Sequence, residues 1–246
     1  IADDLNRRFH TDFGPDELFL TMGAAASLSA VLHGLCEPDD EFIVISPFFP
    51  EYRVFIESAG GKLVDVPADR ANSFAPDIRA IDRAINEHTK AVIINSPNNP
   101  TGKVYGKGEI TALSELLKRR SEGRDPIFLI SDEPYRELIY TDVGYPFVTD
   151  YYNNSIICYS YSKSLSLAGE RIGYVLVPSK LTCHDGVYAA VAGAARALGY
   201  VCAPSLFQHV IARCAGCISD ISIYDRSRKL LYSRLTELGF ECVYPD

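Results

Sequence analysis

The chain has 246 residues, 47% of them hydrophobic and 23% charged, which suits one large globular domain or one and a half smaller ones. Its net charge of −8, without any Lys/Arg block, argues against nucleic acid or an anionic membrane as the main partner. No apolar run reaches the ~18 residues a membrane-spanning helix needs, and the most apolar region, 187–201, is interrupted by Arg196.

The N-terminal stretch IADDLNRRFH opens within a helical pattern and has no signal-peptide character, so the chain reads as a domain cut from something longer. Residues 17–21 form a first strand, and Met22-Gly23-Ala24-Ala25-Ala26-Ser27 opens an apolar helix reaching about Cys36. Small residues at that opening leave backbone N–H groups free, which serves either anion binding or close helix packing. A turn at Glu37-Pro38-Asp39-Asp40 precedes a buried strand at 41–45. After Ser46-Pro47-Phe48-Phe49-Pro50 a helix runs to about Ala59, Gly60-Gly61 ends it, and a strand covers 62–66. Residues 76–86 make an amphipathic helix with Pro76 near its start, where a missing N–H does no harm.

The unbroken apolar run at 89–95, TKAVIIN, suits the middle of a parallel sheet. Two prolines, three asparagines and a glycine then make 95–102 a rigid turn. A helix at 107–122 leads to a strand at 125–130, whose end carries Ser131-Asp132-Glu133-Pro134-Tyr135-Arg136. A short extra strand at 137–140, a strand at 155–159 and another at 173–178 follow. From Asp185 the pattern is helical, with one long helix at 218–239.

Strands alternating with helices predict an α/β protein, a three-layer α/β/α sandwich on a mostly parallel, mixed sheet. Residues 1–216 read as its large domain, and 217–246 as a long helix leading toward a C-terminal small domain that is largely missing. The seven cysteines are odd in number and several lie in apolar runs, as reduced core thiols of a cytoplasmic protein do. Cys214-Ala-Gly-Cys217 has no second pair at metal-site spacing and reads as two cysteines on a helix face.

The densest chemistry lies at 159–174, YSYSKSLSLAGERIGY. There Lys163 stands between Ser160 and Ser162 on one side and Ser164 and Ser166 on the other, with Arg171 eight residues on. Lysines mostly lie among other charges on helix faces. A lone lysine at a strand end, among hydroxyls and near a guanidinium, has the parts to bind a phosphorylated aldehyde covalently.

Three strand-end motifs occur in order: S-P-N-N-P-T-G, then S-D-E-P-Y, then S-Y-S-K followed by G-E-R-I-G-Y. Over residues 18–177 this set closely resembles the fold type I pyridoxal-phosphate enzymes, and among them the class I/II, aspartate aminotransferase-like aminotransferases. The resemblance implies pyridoxal 5′-phosphate as cofactor and Lys163 as the catalytic Schiff-base lysine, which also moves a proton between the substrate Cα and the cofactor's C4′. Asp132 resembles the carboxylate that pairs with the protonated ring nitrogen. Tyr135 and Asn99 resemble the two donors to the ring's O3′, while Asn95 and Asn98 serve the turn. Arg171 is similar to the family's phosphate arginine, helped by Ser160, Ser162 and the backbone N–H groups of Ala24 and Ala25. Ala25 departs from the pattern, since many relatives carry a Thr, Ser or Lys side chain there. Phe49 matches the residue stacked on the ring face, often Trp or Tyr in relatives, with Phe48 as the alternative.

The family's carboxylate-binding arginine lies in its small domain, and Arg196, Arg213, Arg226, Arg228 and Arg234 read as surface charges or dimer contacts instead. The resemblance implies transfer of an amino group between an amino acid and a 2-oxo acid by a homodimer. Two other activities remain open from these residues. One is a cystathionine-type C–S lyase; the other is a non-catalytic, cofactor-binding effector domain of a transcription regulator.

Overall fold

The computed structural model describes residues 1–246. Its centre is a seven-stranded sheet of β1 (Leu18–Thr21), β2 (Glu41–Ser46), β3 (Lys62–Pro67), β4 (Thr89–Asn95), β5 (Phe128–Asp132), β6 (Ser155–Ser160) and β7 (Gly173–Leu176). The strand order is β1-β7-β6-β5-β4-β2-β3. β7 runs antiparallel to both its neighbours, and the remaining pairings are parallel. The middle strands have apolar side chains on both faces, because each face is covered by helices. Along β4, Val92 and Ile94 face one apolar cluster while Ala91 and Ile93 face the other.

Against the first face pack α1 (Ala2–Phe9), α4 (Ile78–Ala84) and α5 (Lys107–Arg120), through Leu5, Ile81, Ile110, Leu113 and Leu117. Against the second pack α2 (Ala24–Leu35), α3 (Glu51–Ser58) and α7 (His184–Ala197), through Leu28, Leu32, Ile56, Val187 and Val191. The single turn α6 (Tyr161–Ser164) follows β6 directly, and α8 (Ser205–Arg213) and α9 (Ser222–Glu237) complete the chain. No helix is long and apolar enough to cross a membrane.

Several sequence expectations shift. Residues 137–140 are not a strand: the chain turns, with Arg136 and Leu138 donating to the Glu133 and Tyr135 carbonyls, and Arg136 and Glu137 point into the protein. Pro76 lies outside α4, because Asp77 caps it by accepting from the Ala80 N–H at 2.9 Å. Only Cys158 of the seven cysteines is buried, and all are free. Cys214 and Cys217 lie in the turn after α8, not on a helix face. Arg196, Arg213, Arg226 and Arg234 are exposed as expected, but the Arg228 side chain is 8% exposed, paired with Asp225 and lying against the Tyr140 and Tyr244 rings.

Candidate active site

Three adjacent parallel strands bring their C-terminal ends to one rim. Asn95 of β4 pairs in register with Asp132 of β5, and Asp132 with Cys158 of β6, two residues before Ser160. The antiparallel β7 begins where these strands end, with Gly173 between Ser160 and Thr21. That reversal carries Arg171 to the same rim, where the helix α2 also begins. Gly173 tolerates no side chain: a Cβ there would sit 2.3 Å from the Tyr159 carbonyl and 3.0 Å from the Gly23 Cα. Gly23 has φ +86°, and a Cβ on it would lie 2.6 Å from Arg171 Nη2. The guanidinium is therefore laid across a bare backbone, donating to the Met22 carbonyl at 3.1 Å and the Ala168 carbonyl at 2.6 Å.

One cavity of about 250 Å³ is lined by Ala24, Ala25, Phe49, Asn99, Asp132, Tyr135, Ser160, Ser162, Lys163 and Arg171, whereas Phe48, the alternative to Phe49, does not line it. The Asp132 side chain is buried, and its Oδ2 accepts from the Tyr52 hydroxyl at 2.6 Å. Its Oδ1 is buried with no partner. Burial pushes the carboxyl up to about 7; the Tyr52 hydrogen bond acts against that rise and the Glu133 charge adds to it.

Asn95 donates to the Asp132 carbonyl at 2.8 Å and accepts from the Asn99 N–H at 2.7 Å, fixing the turn to the strand end. Asn98 serves the turn, accepting from the Thr101 N–H and hydroxyl. Asn99 is thereby held half-buried beside Tyr135. The Tyr135 phenol is pushed up by burial and then by the Asp132 charge, with the Asn99 amide acting the other way. Lys163 Nζ lies 6.0 Å from the Tyr135 ring centre. Ser160 caps α6, accepting from the Ser162 N–H at 3.2 Å, and the two hydroxyls are 2.5 Å apart. Phe49 is half-buried, its ring centre 5.8 Å from that of Tyr52.

Beside the start of α2 the cavity offers a guanidinium, two hydroxyls and the unpaired first-turn N–H groups of that helix, the complement of a phosphate dianion. Another side offers an unpartnered carboxylate oxygen, the complement of a cationic ring N–H, and Lys163 supplies a primary amine. These groups fit pyridoxal 5′-phosphate. Ala25 has no polar side-chain atom, so its contribution is its backbone N–H alone. Tyr52 was not singled out in the sequence; the available signal was a tyrosine on the buried face of a helix, whose hydroxyl must find an acceptor.

A mixed sheet with this rim is the large domain of a pyridoxal-phosphate enzyme. The chain belongs to the aminotransferases of class I and II, whose family model matches residues 1–246. It is 35% identical over 183 residues to the aspartate aminotransferase of Thermotoga maritima, covering 74% of this chain and 47% of that protein. It is 28% identical over 253 residues to the putative aminotransferase YugH of Bacillus subtilis, covering 100% of this chain and 62% of that protein. Among solved structures, an amino transferase from Eubacterium rectale superposes with a TM-score of 0.96 at 55% identity, over 100% of this chain and 62% of that one. The chain thus spans about half to two thirds of the length of these relatives.

Proposed function

We propose that this chain is the cofactor-binding part of an enzyme that transfers an amino group between an amino acid and a 2-oxo acid. The observation that carries the reading is the buried Asp132, which has an unpartnered Oδ1 and lines the same cavity as Lys163 and Arg171. When bound, pyridoxal 5′-phosphate supplies a cationic ring that accepts the electron pair left when the substrate's Cα–H bond breaks. Asp132 would hold the ring nitrogen's proton, and Tyr52 keeps the carboxylate aimed. Arg171, Ser160, Ser162 and the N–H groups of Ala24 and Ala25 bind the phosphate. Tyr135 and Asn99 would donate to the ring oxygen O3′, and Phe49 would cover one ring face. Lys163 would hold the cofactor covalently; once displaced by the substrate amine, its freed Nζ would carry the proton from the substrate Cα to the cofactor's C4′.

The aminotransferase names of the relatives support this reading. We also propose a homodimer as the working unit, checked by sedimentation of the full-length protein. Residues 1–216 are proposed as the large domain and 217–246 as the lead into a second one; α9, none of whose residues is buried, supports that division. The test of the site is Lys163→Ala. Borohydride should trap pyridoxal phosphate on the wild-type protein and on no residue of the variant; a trapped adduct in the variant would overturn the assignment.

A further inference from the structure

Behind the cofactor rim, on the other face of the sheet, lies a buried polar network that no step above uses. Arg136, 4% exposed, donates from Nη1 to Glu133 Oε2 at 2.9 Å, from Nη2 to the Tyr174 hydroxyl at 3.0 Å and from Nε to Glu137 Oε1 at 3.3 Å. Its guanidinium lies 4.3 Å from the Tyr159 ring centre. Tyr159 donates to Glu137 Oε2 at 2.9 Å, and its hydroxyl is 2.8 Å from the Ser164 hydroxyl. Arg8 closes the charge balance by donating to Glu137 Oε1 at 2.9 Å.

This network ends on the turn that carries Lys163. Tyr161 and Ser164, three residues apart on the four-residue α6, share the side that faces it. Ser162 and Lys163 consequently face the cofactor cavity. Ser164 is gripped at both polar ends, its hydroxyl by Tyr159 and its carbonyl by the Ser219 N–H at 2.9 Å and hydroxyl at 2.7 Å. One helical turn cannot hold its own geometry, because nucleation alone is unfavourable. Its orientation has to come from such outside contacts.

We propose that Tyr159 and Ser164 are positioning residues for Lys163, with Arg136, itself fixed by Glu133 and Glu137, holding Tyr159 in place. Only an arginine can bridge three acceptors at once in one plane. The proposal rests on the Lys163 reading above.

The test uses the full-length protein with Tyr159→Phe and Ser164→Ala; the second leaves every buried charge paired, so it serves if the first fails to fold. Tyr152→Phe is the control, since that tyrosine is also buried but its hydroxyl bonds the Ile127 carbonyl at 2.6 Å and meets the Ser121 hydroxyl at 3.2 Å, away from α6. Both test variants should slow borohydride-trapped attachment of pyridoxal phosphate to Lys163 by roughly ten- to a hundredfold, the scale for a group displaced by up to about an ångström. Both should also move the pH midpoint of the bound cofactor's absorbance change. Placed in a Lys163→Ala background, neither should alter non-covalent pyridoxal phosphate affinity. Wild-type attachment rates in both test variants, or equal slowing in Tyr152→Phe, would overturn the proposal. Absence of any adduct on Lys163 in the wild-type protein would instead overturn the reading on which it rests.

Discussion

Asp132 and Glu133 are neighbours in sequence, both buried, and they point to opposite faces of the sheet, yet their surroundings differ completely. Glu133 has both oxygens occupied, Oε1 by the Ser131 hydroxyl at 2.9 Å and Oε2 by Arg136. Asp132 has one oxygen bonded to Tyr52 and the other bonded to nothing. Burial pushes both carboxyls up, but at Glu133 the Arg136 charge opposes the rise, whereas Asp132 has no cation beside it. A buried charge neutralised from within belongs to the fold; a buried charge left half-satisfied is arranged for a ligand that brings the missing cation.

The largest expected effect comes from undoing the satisfied side. Arg136→Met leaves Glu133 buried without a cation, while Glu137 keeps Arg8, and should lower stability to urea by about 3–5 kcal/mol. Asp132→Asn should lower stability by no more than ~1 kcal/mol while weakening pyridoxal phosphate binding, measured by equilibrium titration. Equal losses of stability in the two variants would erase the distinction.

Next in size is the pH response of the cofactor-free protein. The Asp132 carboxyl sits at about 7 in the fold against 3.8 in an unstructured chain, so the folded state holds this proton more tightly. Its contribution to stability is full below about pH 4 and is lost as pH rises toward 7, a span on the order of a few kcal/mol. Thermal melts across that range should slope downward in the wild-type protein and less so in Asp132→Asn. Saturating pyridoxal phosphate should flatten the slope as well.

Tyr52→Phe tests the half of Asp132 that is satisfied. It should cost about 1–3 kcal/mol, since a second buried oxygen loses its partner, and raise the pH at which the carboxyl ionises. An ion pair in water sets the lower bound. The Arg53–Glu57 pair has side chains 54% and 55% exposed, and Arg53→Ala should change stability by no more than about 0.5 kcal/mol. A larger loss there would mean that burial does not govern what these charges contribute.

Much of the fold was legible because its signals are local. The apolar run TKAVIIN announced a strand covered on both faces, and the Asn- and Pro-rich turn after it announced a rigid bend, which Asn95 and Asn98 do stabilise. The sequence misled where a residue's surroundings come from far along the chain. Residues 137–140 have strand-like composition, but the buried bonds of Arg136 and Glu137 hold them in a turn. Arg228 looked like any helix-surface arginine until Tyr140 and Tyr244 covered it.

By itself, the sequence determined the strand and helix types, the strand-end position of the chemical groups and the family to which they belong, all properties set within a few residues. The tertiary structure alone decided that β7 runs backward to deliver Arg171, that Tyr52 reaches Asp132 across 80 residues, and which oxygen of that carboxylate stays unpartnered. Hydrogen-bond satisfaction inside a protein is a property of the packed whole, because a buried polar atom must find its partner wherever the fold brings one.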